Sequence, residues 1–193
     1  MKPLILASAS PRRQQLLHEA GAAFIVIPSN TAEELQSGES PEEYALRVAR
    51  EKAQDVAARC PGSWVLGADT IVAVADLVLG KPQDTADGLR MLRLLSGRTH
   101  RVITAFALLD GAGQINTHRL VVSQVTFKPL TDDHIHNYLA TGEPFDKAGA
   151  YAVQGLGAAL VERVEGSYTN VVGLPVEEVL AALRTVGILP END

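Results

Sequence analysis

Short apolar runs alternate with amphipathic stretches along most of the chain. Leu4 to Ala7 is apolar and bounded by small and turn residues, which predicts a buried strand. Ser10 is placed to cap a helix with Pro11 at its first position, where a missing N–H costs nothing. That helix runs through Leu16, Leu17 and Ala20 and stops at Gly21. Phe24 to Ile27 predicts a second strand, and the polar stretch Ser29 to Glu39 a loop. Ser40-Pro41-Glu42-Glu43 has the capping-box form and opens a helix to about Arg59, with Tyr44, Val48 and Ala49 on one face. Trp64 to Asp69 predicts a strand that ends on a carboxylate. Thr85 then caps a helix reaching about Leu95, with Gly97 as its stop.

Val102 to Leu109 and Leu120 to Phe127 are strand runs, and Asp110-Gly111-Ala112-Gly113 supplies the turn chemistry for a hairpin. Thr131 caps a helix ending at Gly142. Ala158 to Val164 is strand-like, and Pro175 begins a last amphipathic helix to Val186. Hairpins and crossover helices together predict an α/β fold: a mixed β-sheet flanked by helices. No repeat, low-complexity tract or linker interrupts the pattern, so one domain over residues 1–193 is expected.

Composition narrows the partners. Hydrophobic residues make up 46% and charged residues 21%, ordinary for a globular protein. Seventeen basic against twenty-three acidic residues leave a net charge of −6, which argues against a general nucleic-acid binder. A few placed cations can still hold a small anion inside an acidic protein. The single cysteine, Cys60, excludes an internal disulfide and fits a reducing compartment. The apolar run from Met1 to Ala7 is too short for a secretory signal, and no stretch approaches the ~20 apolar residues of a membrane span. A cytoplasmic location without membrane partners is therefore expected.

Candidate chemistry begins at Ser8-Ala9-Ser10-Pro11-Arg12-Arg13. Here a strand passes into a helix N-terminus, where unpaired N–H groups and the helix dipole favour an anion. Small side chains let the backbone approach a phosphate, and arginine offers a matching fork of donors. Cations are mildly unfavourable in a first helical turn, so two arginines there point to a ligand rather than to solvent. Asp69, in Gly67-Ala68-Asp69-Thr70, could bind a metal, orient a water or close a turn. Glu33 and Glu34 are either oxygen ligands for Mg²⁺ or solvated loop residues. Lys52 on the capped helix and Lys81 in Gly80-Lys81-Pro82 could neutralise phosphate or simply be solvated. Asp146 to Tyr151 and Gly166 to Asn170 are Gly-punctuated loops that fit either turns or contacts to a base or sugar. His134 and His136 lie two apart and point to different helix faces, against a histidine metal site.

The ordered blocks Leu-Ala-Ser-Ala-Ser-Pro-Arg-Arg at 6–13, Arg-Glu-Lys-Ala at 50–53, Gly-Ala-Asp-Thr at 67–70 and Gly-Lys-Pro at 80–82 make the chain identifiable. Ala-Gly-Ala-Tyr-Ala-Val-Gln-Gly at 148–155 and Gly-Ser-Tyr-Thr-Asn-Val-Val-Gly-Leu-Pro at 166–175 complete the set. Together they resemble the Maf family, the septum-formation-inhibitor proteins, over essentially the whole chain. The resemblance implies an elongated two-lobed fold with a central cleft, similar to the inosine-triphosphate pyrophosphatase fold and often dimeric. It implies hydrolysis of a nucleoside triphosphate to the monophosphate and pyrophosphate with a divalent cation, Mg²⁺ or Mn²⁺. By motif, Asp69 is the proton acceptor for a metal-assisted water and a metal ligand. Ser8, Arg12, Arg13, Lys52 and Lys81 face the phosphates. Glu34 is the metal-side carboxylate, with Glu33 the alternative.

Arg12, Thr70 and Gln154 resemble the determinants of the branch acting on dTTP and UTP, and an amide such as Gln154 offers the donor and acceptor a uracil or thymine edge requires. A 7-methyl-GTP pyrophosphatase and a nucleotide-binding regulator of cell division are the readings that compete with it.

Overall fold

The computed structural model describes residues 3–190; Met1, Lys2 and residues 191–193 lie outside the described residues. Seven strands form one mixed sheet: β1 (Leu4–Leu6), β2 (Phe24–Val26), β3 (Trp64–Val74), β4 (Leu77–Leu79), β5 (Thr99–Leu109), β6 (Ile115–Phe127) and β7 (Val161–Glu165). Their order is β2-β1-β3-β5-β6-β7, with β4 pairing β3. The β2-β1-β3 part is parallel, and the rest pairs antiparallel.

This division follows the connections. Parallel neighbours need a crossover, supplied by α1 (Pro11–Glu19) and by α2 (Pro41–Arg59). Tight turns join the antiparallel pairs β3–β4 and β5–β6, and Asp110 makes the second by accepting from the backbone N–H of Ala112 and Gln114. The remaining helices are α3 (Thr85–Leu95), α4 (Asp132–Ala140), α5 (Tyr168–Val172) and α6 (Val176–Thr185).

The expected mixed sheet with flanking helices is what the chain forms, and several boundaries differ for stated reasons. The strand expected to end at Asp69 continues to Val74, because β5 pairs with it as far as Ala73. Asp84, not Thr85, caps α3, its carboxylate accepting from Asp87 N. Ser10 makes no side-chain cap bond; its own N–H instead donates to Ser8 Oγ. The expected strand from Ala158 starts only at Val161, after a 3-10 segment over Gly155–Leu160. Of the two Gly-punctuated loops, the first holds 3-10 turns and the second opens α5, capped by Ser167.

The core lies on both faces of the sheet. Leu6, Leu17, Leu66, Phe106, Leu174 and Leu183 pack on one face with α1 and α6, and Val48, Ala49, Ile71 and Ile103 pack on the other under α2. Helix α2 sits so close that a Cβ on Gly67 would lie 2.4 Å from Ala49 O. This close packing brings the α2 side chains down to the level of the strand.

Candidate active site

The site forms where β1 stops and β3 does not. The last β1 pair is Leu6 with Leu66, and β4 joins the same edge of β3 only at Val72. Between them, Gly67 to Ile71 are paired on the β5 side alone, and the loop after β1 runs past the opening. Successive strand residues face opposite sides. Asp69 therefore shares the Gly67 face with α2, whereas Thr70 faces α1 and α5.

On the α2 side, Lys52 Nζ lies 2.7 Å from Asp69 Oδ1 and 2.7 Å from Glu33 Oε1. Asp69 and Lys52 are buried, and Glu33 reaches them from the loop before α2. Burial opposes ionisation of Glu33, yet the Lys52 ammonium, helped by Lys81 and Arg13, holds its carboxyl below the ordinary range. Tyr44, one turn into α2, borders the same space; burial and the nearby Asp69 and Glu33 charges push its phenol up to about 12.

On the other face Arg13 is buried, and its donors go to neutral acceptors. Its Nε donates to Gly173 O at 2.8 Å, Nη1 to Ser8 Oγ at 3.1 Å and Nη2 to Thr70 Oγ1 at 3.0 Å. Among the described residues no carboxylate pairs with it at ion-pair distance. Burial consequently lowers its pKa, with the charges of Asp69 and Glu33 opposing the fall.

The acceptor carbonyl of Gly173 is held by a strut. The side-chain amide of the fully buried Asn170 donates to Val102 O and Ser123 Oγ, and the Asn170 backbone carbonyl accepts from Thr104 Oγ1. The Gly166–Asn170 block thus anchors α5 rather than reaching into the opening.

These groups line one cavity of about 390 Å³ together with Ser8, Arg12, Thr70, Lys81 and Gln154. Eight of the nine residues expected at the site are brought together there. Glu34 is not: its carboxylate does not border the cavity, and its backbone carbonyl accepts from Arg47 Nη2. Glu33 is the loop carboxylate that faces inward. Arg12 lies at the rim, 3.3 Å from Asp146 Oδ2, and the Thr70 hydroxyl is engaged by Arg13 and Thr104. Asp146 and Tyr151, from the first Gly-punctuated loop, also reach the wall, and Tyr44 is a wall residue to which the sequence assigned only a helix face. Tyr44 occupied a core-facing helix position, and nothing local separates a buried tyrosine that also meets a cavity from one that does not.

The fold and site define an α/β protein in which a strand edge, a helix N-terminus and a basic cavity meet. Comparison with known families makes this specific: residues 3–186 match the family model described as Maf-like protein, and the chain belongs to that family. A dTTP/UTP pyrophosphatase of Geobacter sulfurreducens is 54% identical over 186 residues, covering 96% of this chain and 97% of the relative. Its counterpart in Geobacter metallireducens is 53% identical with the same coverage. The alignment with a solved nucleoside-triphosphatase / dITP/XTP pyrophosphatase from Mycobacterium abscessus covers 98% of each chain at 19% identity and a TM-score of 0.45.

Proposed function

We propose that this chain hydrolyses nucleoside triphosphates, dTTP and UTP foremost, to the monophosphate and pyrophosphate. One observation carries the reading: a buried arginine without a carboxylate partner and the Glu33–Lys52–Asp69 cluster face the same cavity. A buried cation paired only with neutral acceptors is short of negative charge, and a phosphate chain supplies it. The names of the relatives support the choice of substrate.

Glu33 and Asp69 fit a divalent cation. Both are oxygen donors, and they already share one cationic group, the Lys52 ammonium. Mg²⁺ characteristically takes one or two protein carboxylates and completes its shell with water and phosphate oxygens. Bound there, such a cation would neutralise phosphate charge and polarise the anhydride.

The chain's own groups do the rest. Arg13, Ser8 and the α1 N-terminus hold the phosphates, with Lys81 a further cation of the same cavity. Asp69 accepts a proton from the attacking water, and Lys52 orients that carboxylate through its 2.7 Å hydrogen bond. The α–β anhydride bond breaks, pyrophosphate leaves, and the basic wall stabilises the charge it carries away. Gln154, whose amide has no hydrogen-bond partner among the described residues, borders the cavity and reads the base edge.

A substrate panel of dTTP, UTP, CTP and 7-methyl-GTP, with pyrophosphate detected, tests this. The expected result is fastest turnover of dTTP and UTP, abolished by chelator, with Asp69→Asn inactive. Faster turnover of 7-methyl-GTP would overturn the substrate, and undiminished release by Asp69→Asn would overturn the assigned base.

A further inference from the structure

The carboxylate of Glu143 lies outside the cavity lining, yet it is the hub of the segment that carries Gln154. Its Oε1 accepts from Tyr138 Oη at 2.9 Å and from Gly157 N at 2.9 Å, and its Oε2 accepts from Leu156 N at 3.0 Å. The Tyr138 hydroxyl also accepts from Ala152 N at 3.2 Å. Backbone groups on both sides of Gln154 are thereby tied to one glutamate–tyrosine pair standing on α4 and the turn after it.

The glycines show how tightly this is built. Gly155 has φ +64°, and a Cβ there would lie 2.7 Å from Glu143 Oε2. A Cβ on Gly157 would lie 2.6 Å from the Tyr138 hydroxyl. A side chain at Gly155 would displace the Glu143 carboxylate, and one at Gly157 would also meet the Ala152 backbone carbonyl at 2.4 Å. Burial of Glu143 opposes its charge, but the N–H groups of Gly157 and Leu156 and the Tyr138 hydroxyl keep its carboxyl below the ordinary range.

We propose that Glu143, with Tyr138, is a positioning residue for base selection: it fixes the backbone from which Gln154 meets the base. The inference rests on the reading of Gln154 as the base contact. A carboxylate is required because every one of its contacts is a donor. Glutamine would turn an NH₂ toward one of them and leave two donors facing each other. A displaced Gln154 loses the match to a uracil edge, so the penalty falls on base discrimination rather than on the phosphate chemistry.

The test compares kcat/KM for UTP and CTP in five proteins: wild type, Glu143→Gln, Tyr138→Phe, Gln154→Ala and the double variant Glu143→Gln/Gln154→Ala. Glu143→Gln is expected to lower the UTP/CTP ratio by about tenfold, mainly through KM for UTP, with kcat within about threefold of wild type. In the Gln154→Ala background the same change should leave the ratio where Gln154→Ala alone sets it. Tyr138→Phe keeps the backbone bonds to Glu143 and removes the hydroxyl; it should move the ratio the same way by a smaller factor, and serves if Glu143→Gln fails to fold.

If Gln154→Ala lowers the ratio and neither Glu143→Gln nor Tyr138→Phe does, the clamp has no positioning role. An additional drop in the double variant also overturns the proposal, since Glu143 would then act by another route. If Gln154→Ala leaves the ratio unchanged, the base-contact reading falls and the clamp's role falls with it.

Discussion

His100 is 2% exposed and sits edge-on to both Phe127 and Tyr151, with its Nε2 2.7 Å from the Tyr151 hydroxyl. Burial pushes its imidazole down to about 4, so it is neutral in the folded protein at pH 6. In the unfolded chain it titrates near the ordinary histidine value of about 6.5. Between these values the unfolded state binds more protons. The stability His100 contributes is therefore present above about pH 6.5 and is lost as pH falls toward 4, on the order of 3 kcal/mol in all. Thermal melts from pH 7 to 4 should show a steeper loss for the wild type than for His100→Gln, and equal slopes would refute the assignment. In the sequence His100 is one of five scattered histidines; only packing reveals it as a core group behind the cavity wall. Glu33 and Glu34 pose the same problem more sharply. Their loop has no regular period, so nothing local states which carboxylate turns inward.

Elements were legible where their signals are local. The Ser40–Glu43 box forms as expected because both of its hydrogen bonds lie within four residues. Asp84 and Thr85 are adjacent residues that both favour caps, and sequence does not separate them. The extent of β3 was not legible either, since a partner strand some thirty residues away sets it. Gly67 shows the consequence of that pairing for packing. Its absent side chain admits α2, and a Cβ would meet Ala49 O at 2.4 Å and Ala53 N at 2.7 Å. Backbone atoms cannot yield as a side-chain tip does. Gly67→Ala should destabilise the fold by about 1–3 kcal/mol and, by lifting α2 and Lys52 away from Asp69, lower kcat as well. Denaturant unfolding and turnover measured together check this; a variant of wild-type stability would mean that α2 shifts freely.

At the scale of the molecule, a net charge of −6 coexists with a cavity walled by Arg12, Arg13, Lys52, Lys81 and Lys147. The carboxylates on the same wall are Glu33, Asp69 and Asp146, fewer than the cations, so a small polyanion meets a locally positive site on a protein unsuited to long nucleic acids. Saturating dTTP with Mg²⁺ should therefore stabilise the fold, by about 2.7 kcal/mol at a concentration 100-fold above Kd. Using Asp69→Asn prevents consumption of the ligand. A rise in melting temperature of roughly 5–10 °C is expected for a chain of this size. No rise would contradict the assignment of the cavity as the nucleotide site. Among the described residues no helix is long and apolar enough to cross a membrane.

By itself the sequence determined the alternation of strands and helices, the local caps and turns, and the six ordered blocks that mark the family. Each of these is written in neighbours a few residues apart or in residue identity. Tertiary structure decided what depends on distant partners. It made Glu33 and not Glu34 the carboxylate beside Lys52 and Asp69, and it turned Arg13 into a buried, carboxylate-free cation. It placed Asp69 within a strand instead of at its end, and it tied the Gln154 segment to Glu143. The physical reason is common to all four. Whether a charged side chain faces water, a counter-ion or a cavity depends on which surfaces the fold brings against it, and those surfaces come from segments far away along the chain.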